Sequence, residues 1–367
     1  MLNKKIKILY ILPSLASGGA ERFLLDLIYN LDLNIFDPQL LLFKDSGFFY
    51  PEAIGRGVKI KVLSKKFKFD LINFFQIFKY IKKEQPDIVH TELGGDIYGK
   101  IAAKLAGIKV IISTEQNVSA NDNFINYFLK KWTASWSNKI IAISSAVKND
   151  LIKKYQVAPA KIELLFNGLN VEKFKQSDEV KKERLEIDPV IIGSIGRLSP
   201  QKNFSLLFKA LAQVKEKNFK CLIAGEGDLR PQLEQEIKEL NLSDKIELVG
   251  LKVDVNSFLN DLDFFVLPSK WEGLGIVLLE AGVVKLPVLA SATGGILDII
   301  EDQKNGLLFK VEDLNDLISK LNYCLDYNNQ SRLKQLGENL FVTIIEKFDI
   351  KKIANQYQVM YQELLKK

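Results

Sequence analysis

Two glutamates are the residues of this sequence best suited to hold a polar ligand in apolar surroundings. Glu272 lies in a glycine-bearing loop after a hydrophobic strand that ends at Leu267, and Glu280 follows in an apolar helix. A carboxylate buried without a partner is costly, and the hydroxyls of a sugar or of a ribose are suitable partners. The alternative interpretation is that Glu280 is an exposed residue on a half-buried helix.

Two basic residues stand where another buried strand ends and a helix begins. Arg197 and Lys202 follow the strand predicted over 190–196, and Asn203 is placed to cap the next helix. The planar fork of Arg197 and the point charge of Lys202, five residues apart, suit a diphosphate. The alternative is that both are solvated surface cations.

Glycine-bearing loops supply a third group of candidates for binding an anion. Glycine lets backbone N–H groups approach a ligand closely, and the N-terminus of a helix favours negative charge. Any tight turn can also carry a glycine, so this alternative stays open for each loop. The candidates, with one glutamate inside such a loop, are Gly18, Gly19, Gly196, Gly225 and Glu226.

Cysteine and histidine usage excludes several kinds of site. Cys221 and Cys324 are the only cysteines, so no disulfide framework or cysteine-rich zinc site is expected, and a reducing compartment fits. His90 is the single histidine, which argues against a histidine-based metal site or catalytic triad. Because His90 ends a buried strand, we interpret it as a packed structural residue.

The elements that position these residues follow an α/β pattern. The chain has 367 residues, 47% of them apolar and 26% charged, which excludes a disordered or fibrous chain and predicts two domains. Short apolar runs alternate with segments of helical period, as in parallel sheets buried on both faces. The predicted strands are 6–12, 38–43, 58–63, 87–91, 109–113, 139–143, 190–196, 219–224, 245–249, 263–267, 287–290 and 306–309. The predicted helices are 20–31, 70–84, 97–106, 145–154, 203–217, 229–240, 275–284, 295–301, 313–326, 330–346 and 350–366.

The predicted domains are two Rossmann-like, doubly wound units. Residues 1–172 form the first domain, and residues 189–349 form the second. Residues 173–188 are rich in charge and read as a linker. The last helix, within 350–367, is expected to pack back on the first domain. The carboxyl ends of the two sheets are expected to face a central cleft, where ligands would bind.

The first half of the chain is basic. Residues 1–175 hold 26 lysines and arginines against 16 acidic residues. Residues 64–69 interleave lysine with phenylalanine, and Lys79, Lys82 and Lys83 follow in a helix whose regularly spaced apolar residues are Leu71, Phe74, Phe75, Phe78 and Ile81. We expect this face to contact an anionic membrane. The alternative is that the phenylalanines are core residues and the lysines are merely solvated.

No stretch approaches 18 uninterrupted apolar residues, so a soluble or peripheral protein is expected.

The full set of motifs resembles the retaining glycosyltransferases of family 4, which have the GT-B architecture of two Rossmann-like domains. The resemblance covers essentially the whole chain. The segments that carry it are GGAER at 18–22, SSAV at 144–147, NGLNVEKF at 167–174, GRLSPQKN at 196–203, GEGDLR at 225–230, PSKWEGLGIVLLEA at 268–281 and TGG at 293–295.

The resemblance implies roles for most of the candidates. Arg197 and Lys202 would neutralise the diphosphate of a nucleotide sugar, and Glu280 would bind the ribose. Glu272, with the backbone of Gly273, Leu274 and Gly275, would position the donor sugar, and Gly18 and Gly19 would complete the phosphate side. Members of this family usually work without a metal, so no cofactor is expected.

Two positions depart from the family pattern. Family members often carry a histidine where this chain has Glu92, and another where it has Gln116. The usual role of that histidine therefore does not transfer directly. Glu92, Gln116 and Asn117 remain candidates for the acceptor side of the site.

The function expected from the resemblance is retaining transfer of a sugar from a nucleotide-diphosphate sugar to an acceptor hydroxyl. The expected setting is assembly of cell-envelope polysaccharide, lipopolysaccharide or glycolipid, with a sugar or lipid-linked acceptor, in the cytoplasm or at the inner face of the plasma membrane. Nucleic-acid binding is not expected, because basic residues are spread and no recognised module appears. The alternatives are an epimerase or phosphorylase on the same scaffold, or a non-catalytic protein that binds nucleotide sugars.

Overall fold

The structure is a computed structural model that describes residues 4–65, 70–118, 124–174, 185, 187–216 and 218–366. The chain divides into two compact units: unit 1 comprises residues 1–168 and 350–367, and unit 2 comprises residues 169–349. Most of the linker predicted over 173–188 lies outside the described residues. In the described part of the chain, no helix combines the length and the apolar character needed to cross a bilayer.

Unit 1 contains a seven-stranded sheet whose strands are all parallel. The strands are β1 (Ile6–Leu12), β2 (Phe36–Leu42), β3 (Lys59–Val62), β4 (Ile88–Glu92), β5 (Val110–Glu115), β6 (Lys139–Ala142) and β7 (Ile162–Leu164). Their order across the sheet is β3-β2-β1-β4-β5-β6-β7. Strands β1, β4 and β5 are buried along most of their length because helices cover both faces of the sheet.

The helices of unit 1 connect these strands, and one comes from the end of the chain. They are α1 (Gly19–Asn30), α2 (Tyr50–Gly55), α3 (Leu71–Glu84), α4 (Asp96–Leu105), α5 (Phe124–Ala134), α6 (Ser145–Lys153) and α14 (Ile350–Lys366). Helix α14 packs on α1, and its Tyr357 and Tyr361 are buried in unit 1.

Unit 2 contains a six-stranded parallel sheet. Its strands are β8 (Val190–Ile195), β9 (Phe219–Ala224), β10 (Ile246–Gly250), β11 (Phe264–Leu267), β12 (Val288–Ser291) and β13 (Leu307–Phe309), in the order β10-β9-β8-β11-β12-β13. Its helices are α7 (Phe204–Leu211), α8 (Arg230–Glu239), α9 (Val255–Asn260), α10 (Ile276–Val283), α11 (Ile296–Ile299), α12 (Leu314–Leu325) and α13 (Gln330–Lys347).

Each sheet has one point at which the strand order reverses. In unit 1 this switch lies between β1 and β4, and in unit 2 it lies between β8 and β11. Ligands of doubly wound α/β domains bind outside the carboxyl ends of the strands at such a switch. The loops that follow these four strands are therefore the first places to look for a site.

The α/β class and the two parallel sheets predicted from the sequence are confirmed, and all twelve predicted strands are present. Four elements were missed, namely β7, α2, α5 and α9. The predicted helix 203–217 is too long, because α7 ends at Leu211.

The regularly spaced apolar residues of α3 lie across the boundary between the core and the solvent. Asn73, Ile77 and Ile81 are buried, whereas Leu71 and Phe75 are exposed. The inward face packs Ile77 and Ile81 into the core, and the Asn73 side-chain amide on the same face donates to the carbonyl of Leu63 at 2.7 Å. The neighbouring residues 66–69, part of the predicted membrane segment, lie outside the described residues.

Candidate active site

A lysine–glutamate ion pair lies at the switch of the unit 2 sheet. The Lys202 ammonium is 2.5 Å from Oε1 of Glu272, and the Ser269 hydroxyl donates to the same oxygen at 2.7 Å. Only 6% of Glu272 and 13% of the Lys202 side chain are exposed. Removing one partner of such a pair leaves an uncompensated buried charge, at a cost of about 3–5 kcal/mol.

Backbone hydrogen bonds between two loops bring Lys202 to Glu272. The loop after β8 and the loop after β11 are joined where the Lys270 N–H donates to the Gln201 carbonyl at 2.8 Å. The Gln201 side chain in turn donates to the Trp271 carbonyl at 3.0 Å. Lys202 and Glu272 therefore meet because their loops follow the two adjacent strands at the switch, β8 and β11.

The glycines after β8 and β9 allow a close approach that a side chain would prevent. A Cβ on Gly225, whose φ is +144°, would lie 2.0 Å from the Gly196 carbonyl oxygen. A Cβ on Gly196 would meet the Lys202 side chain at 2.9–3.1 Å. Gly196 thus leaves room for the Lys202 side chain, and Gly225 lets the loop after β9 pass close to the Gly196 backbone.

The backbone of Glu272 and Gly273 is held from the other side by the loop after β12. The Gly295 N–H donates to the Glu272 carbonyl at 3.2 Å, and a Cβ on Gly294 would lie 2.1 Å from that same carbonyl oxygen. A Cβ on Gly295 would lie 2.1 Å from the Gly273 oxygen. The loop after β12 therefore packs directly against the backbone of Glu272 and Gly273.

Helix α10 begins directly after this loop. Gly275 adopts φ +90° at the N-cap, Leu274 is buried, and Glu280 lies half-buried on the helix. The first N–H groups of a helix have no partner within it, so they can bind an anionic or hydroxyl ligand. Gly273, Leu274, Gly275 and Glu280 thus lie on one continuous loop and helix.

The two remaining unit 2 candidates are more exposed. Arg197 directly follows Gly196 and is exposed. Glu226 is also largely exposed, and it accepts a hydrogen bond from the Arg230 guanidinium at 2.8 Å. Glu226 thus has an ion-pair partner one helical turn away.

In unit 1, the side chains of one carboxylate and two amides form a buried hydrogen-bonded chain at the carboxyl end of the sheet. Glu92 ends β4, and its Oε2 accepts from the Gln116 amide at 2.9 Å. The Gln116 side-chain oxygen accepts from the Asn167 amide at 2.8 Å. All three residues are buried, so the structure brings together two of the three predicted acceptor-side residues.

The single histidine, His90, lies next to Glu92 in this hydrogen-bonded chain. The Nδ1 of His90 is 2.8 Å from the Tyr361 hydroxyl, and its Nε2 is 2.7 Å from the Thr114 hydroxyl. Complete burial lowers the pKa of His90 to about 3, so the ring is neutral. Its Nε2 is 3.6 Å from Oε1 of Glu92, a contact that is therefore not an ion pair.

The other unit 1 candidates lie at loop positions. Gly18 caps α1, and a Cβ there would lie 2.3 Å from the Glu21 carboxylate; Gly19 is exposed in the first turn. Asn117 directly follows Gln116 and is exposed. The structure gives these three no geometry that distinguishes a ligand role from an ordinary turn.

Sequence reasoning missed Ser269, Asn167 and Tyr361 as parts of these sites. Ser269 and Asn167 lie within segments that carry the family resemblance, PSKWEG and NGLN, so their motifs were the available signal. Tyr361 offered no signal, because its partner His90 is 271 residues away. Among the described residues, no group of three or more His, Cys, Asp and Glu side chains is placed to hold a metal.

The family model for glycosyl transferases group 1 matches residues 175–340, and that for glycosyltransferase family 4 matches residues 17–173. An uncharacterised glycosyltransferase of Methanocaldococcus jannaschii is 30% identical over 80% of each chain. The Escherichia coli UDP-Gal:alpha-D-GlcNAc-diphosphoundecaprenol alpha-1,3-galactosyltransferase is 27% identical over 99% of this chain and 98% of its own.

Solved structures agree on the fold. Anabaena HepE in complex with UDP and glucose superposes with a TM-score of 0.86 at 20% identity, covering 98% of this chain and all of that one. A glycosyltransferase from Rickettsia africae superposes with a TM-score of 0.84 at 24% identity, covering 99% of both chains. The two parallel-sheet units therefore form a glycosyltransferase of GT-B architecture. Within that class, the chain belongs to the group 1 glycosyltransferases, family 4.

Proposed function

We propose that this glycosyltransferase moves a sugar, with retention of anomeric configuration, from a nucleotide-diphosphate sugar to a hydroxyl of a lipid-linked glycan. The observation that carries the proposal is the buried Lys202–Glu272 pair at the switch of unit 2. The relatives support the acceptor class: the Escherichia coli protein acts on a diphosphoundecaprenol-linked sugar, and a Campylobacter jejuni relative, 28% identical over 93% of this chain, is named for a diphospho-undecaprenol acceptor.

Lys202 is suited to stabilise the departing nucleotide diphosphate. An ammonium has three N–H donors, and one of them is engaged by Glu272. The other two can meet a phosphate while Glu272 holds the side chain in place. During transfer the bond between the anomeric carbon and the diphosphate oxygen breaks, the acceptor hydroxyl oxygen bonds to that carbon, and the hydroxyl proton leaves with the nucleotide diphosphate. In the transition state negative charge grows on the departing diphosphate oxygen. Preorganised cations are most effective at such a position, and Arg197 would add a second cation. We therefore propose that no metal is needed and that chelation leaves the rate unchanged.

Glu272 is suited to orient the donor sugar. In the described structure both donors, Lys202 and Ser269, meet its Oε1. Its Oε2 then remains for a sugar hydroxyl, while Gly273 and the start of α10 supply backbone N–H groups. Glu280, half-buried on α10, would bind the ribose.

The buried Glu92–Gln116–Asn167 chain is suited to the acceptor. A carboxylate and two amides held in sequence present oxygen and N–H groups at fixed positions, as recognition of sugar hydroxyls requires. Because the acceptors of the relatives are lipid-linked, we place the reaction at the cytoplasmic face of a membrane, with unit 1 in contact with anionic lipid.

The proposed transfer is tested with a panel of nucleotide sugars and a prenyl-diphosphate-linked sugar acceptor. We expect one donor to raise the melting temperature of the protein, since a ligand that binds only the native state stabilises it. The same donor should release nucleotide diphosphate and give a longer glycan by mass spectrometry, with the anomeric configuration read by NMR.

The control is Lys209→Ala, which removes an exposed lysine of α7 that pairs with Glu236 at 3.5 Å. It should retain wild-type turnover, whereas Lys202→Ala should lose it. A donor that stabilises the protein without turnover on any acceptor would favour a non-catalytic binding protein. An inverted product would contradict retention.

A further inference from the structure

The exposed surface of α3 is apolar at one end of the helix and cationic at the other. Its exposed residues are Leu71, Ile72, Phe75, Gln76, Lys79, Lys82 and Lys83, which we call the α3 surface. At 3.6 residues per turn they lie within an arc of about 140°. The exposed fractions of Leu71, Ile72 and Phe75 are 71%, 74% and 57%, so three large apolar side chains adjoin one another in solvent.

The helix cannot turn these apolar residues inward without losing established contacts. Its opposite face buries Ile77 and Ile81 in the unit 1 core, and the Asn73 amide donates to the Leu63 carbonyl. The Asp70 side chain caps the helix by accepting from the Asn73 N–H at 2.9 Å. Because contacts on the opposite face of the helix fix its orientation, these apolar residues stay exposed, and an exposed apolar cluster of this kind indicates an interaction surface.

The apolar end of α3 lies at the same edge of the unit 1 sheet as Glu92 and Gln116. Helix α3 connects the parallel strands β3 and β4, so it runs antiparallel to them, and only residues 85–87 separate its last turn from β4. Its first residue, Leu71, is therefore at the carboxyl edge of the sheet. The lysines lie toward the opposite edge.

We propose that the α3 surface rests on an anionic lipid bilayer, with Leu71, Ile72 and Phe75 inserted at the boundary between headgroups and acyl chains. Lys79, Lys82 and Lys83 contact the phosphate headgroups, and the surface contains no acidic residue that would oppose them. Interfacial helices bind through this combination of apolar area and attraction to anionic lipid. The inference deepens the proposed function, on which it rests in one respect: a lipid-linked acceptor would then reach the sheet edge at Glu92 from the bilayer.

The test is co-sedimentation of the full-length protein with vesicles of phosphatidylcholine, with and without 30% phosphatidylglycerol. We expect binding to the anionic vesicles only. Combining Leu71→Gln, Ile72→Gln and Phe75→Gln should lower the partition coefficient at least tenfold; glutamine keeps helix propensity close to that of leucine. Combining Lys79→Gln, Lys82→Gln and Lys83→Gln should lower it about 100-fold, since each lysine near the surface contributes about fivefold.

The matched control combines Leu33→Gln, Leu105→Gln and Val342→Gln, which removes exposed apolar side chains elsewhere. Binding should stay within twofold of wild type. The proposal is overturned if the Leu71, Ile72 and Phe75 variant binds like wild type, or if wild type binds no vesicles. A dimer in solution that this variant dissociates, without vesicle binding, would instead assign the surface to a second copy of the chain.

Insertion depth gives an independent readout. Cys221 and Cys324 are buried, and burial raises the pKa of both thiols, so a single Phe75→Cys substitution can be labelled selectively with a polarity-sensitive dye. A blue shift on adding anionic vesicles supports the proposal, and an unchanged spectrum contradicts it. Vesicle binding needs no donor, so it is independent of whether transfer occurs. Conversely, all α3 variants should transfer normally to a water-soluble acceptor, and loss of that activity would also overturn the proposal.

Discussion

The two units place a buried glutamate at matching positions but surround it differently. Glu272 follows β11 and Glu92 ends β4, and each of these strands pairs with the first strand of its sheet at the switch. The Glu272 carboxylate is held by the Lys202 ammonium and a serine hydroxyl. Glu92 accepts from a neutral amide and lies beside a neutral imidazole.

We propose that this difference separates a site for the anionic donor from a site that binds the hydroxyl groups of the acceptor. A cation held in place by a carboxylate has N–H donors left for an anion, whereas a carboxylate oriented by amides has oxygens suited to hydroxyl groups. The glutamate at the switch of each sheet therefore has different hydrogen-bond partners, because the neighbouring loops of the two units carry different residues. Four predictions test this comparison of the two sites, in order from the largest expected effect to the smallest.

Lys202→Ala should produce the largest effect on activity. Removing one preorganised donor from a site of developing negative charge costs about 10²–10³-fold in rate, and we expect the upper end, because the cation is lost as well. The measurement is steady-state release of nucleotide diphosphate. Lys209→Ala serves as the control, and a loss of less than tenfold in Lys202→Ala would contradict a role at the diphosphate.

Glu272→Gln should be the most destabilising of the glutamate substitutions. It leaves the Lys202 ammonium largely buried without its carboxylate, so the free energy of unfolding should fall by about 3 kcal/mol. Adding Lys202→Met should recover at least about 1 kcal/mol, because the two sites are directly coupled. Denaturant unfolding of the full chain measures both. Simple additivity of the two changes would show that the pair is not coupled.

His90 should make stability depend on pH. Burial lowers its pKa from 6.5 to about 3, so the unfolded chain binds a proton that the folded chain excludes. The contribution is present in full above pH 6.5 and is lost as the pH falls toward 3. Wild type should lose about 2 kcal/mol more than His90→Gln between pH 7 and pH 5. Carboxylates common to both proteins cancel in this difference, and equal losses would mean that the histidine is not buried neutral.

Glu92→Gln should have the smallest effect and should act on the acceptor alone. A glutamine can still accept from the Gln116 amide, so unfolding should change by less than about 1.5 kcal/mol, the size of one net hydrogen bond. We expect the KM for the lipid-linked acceptor to rise about tenfold, as one charge-assisted hydrogen bond is lost, with the KM for the donor unchanged. A rise in the donor KM instead would move Glu92 to the donor side.

Much of this fold could be predicted because strands buried on both faces give short apolar runs that can be recognised in the sequence. The predicted strand ends, Leu267 and Gly196, located the loops that carry Glu272, Arg197 and Lys202. The three-residue edge strand β7 and the six-residue helices α2 and α9 were missed, since such short elements are defined by their neighbours more than by their own period.

What the sequence could not show depends on contacts between distant residues. Apolar spacing in α3 could not separate the buried Ile81 from the exposed Leu71 and Phe75, because the inward face also includes Asn73, which donates to the Leu63 carbonyl. The Tyr361–His90 contact joins residues 271 positions apart. The ion pair of Lys202 with Glu272 was likewise hidden, although both residues had been selected individually as ligand-binding candidates.

The most direct test of these two roles is calorimetric titration of wild type, Lys202→Ala and Glu92→Gln with the nucleoside diphosphate of the donor that the nucleotide-sugar panel selects. Lys202→Ala should weaken binding of that diphosphate at least tenfold, and Glu92→Gln should leave its Kd within twofold of wild type. The contradicting result is binding of the diphosphate that is unchanged in Lys202→Ala, or weakened equally by Glu92→Gln, since the two glutamate sites would then not differ in the way their surroundings imply.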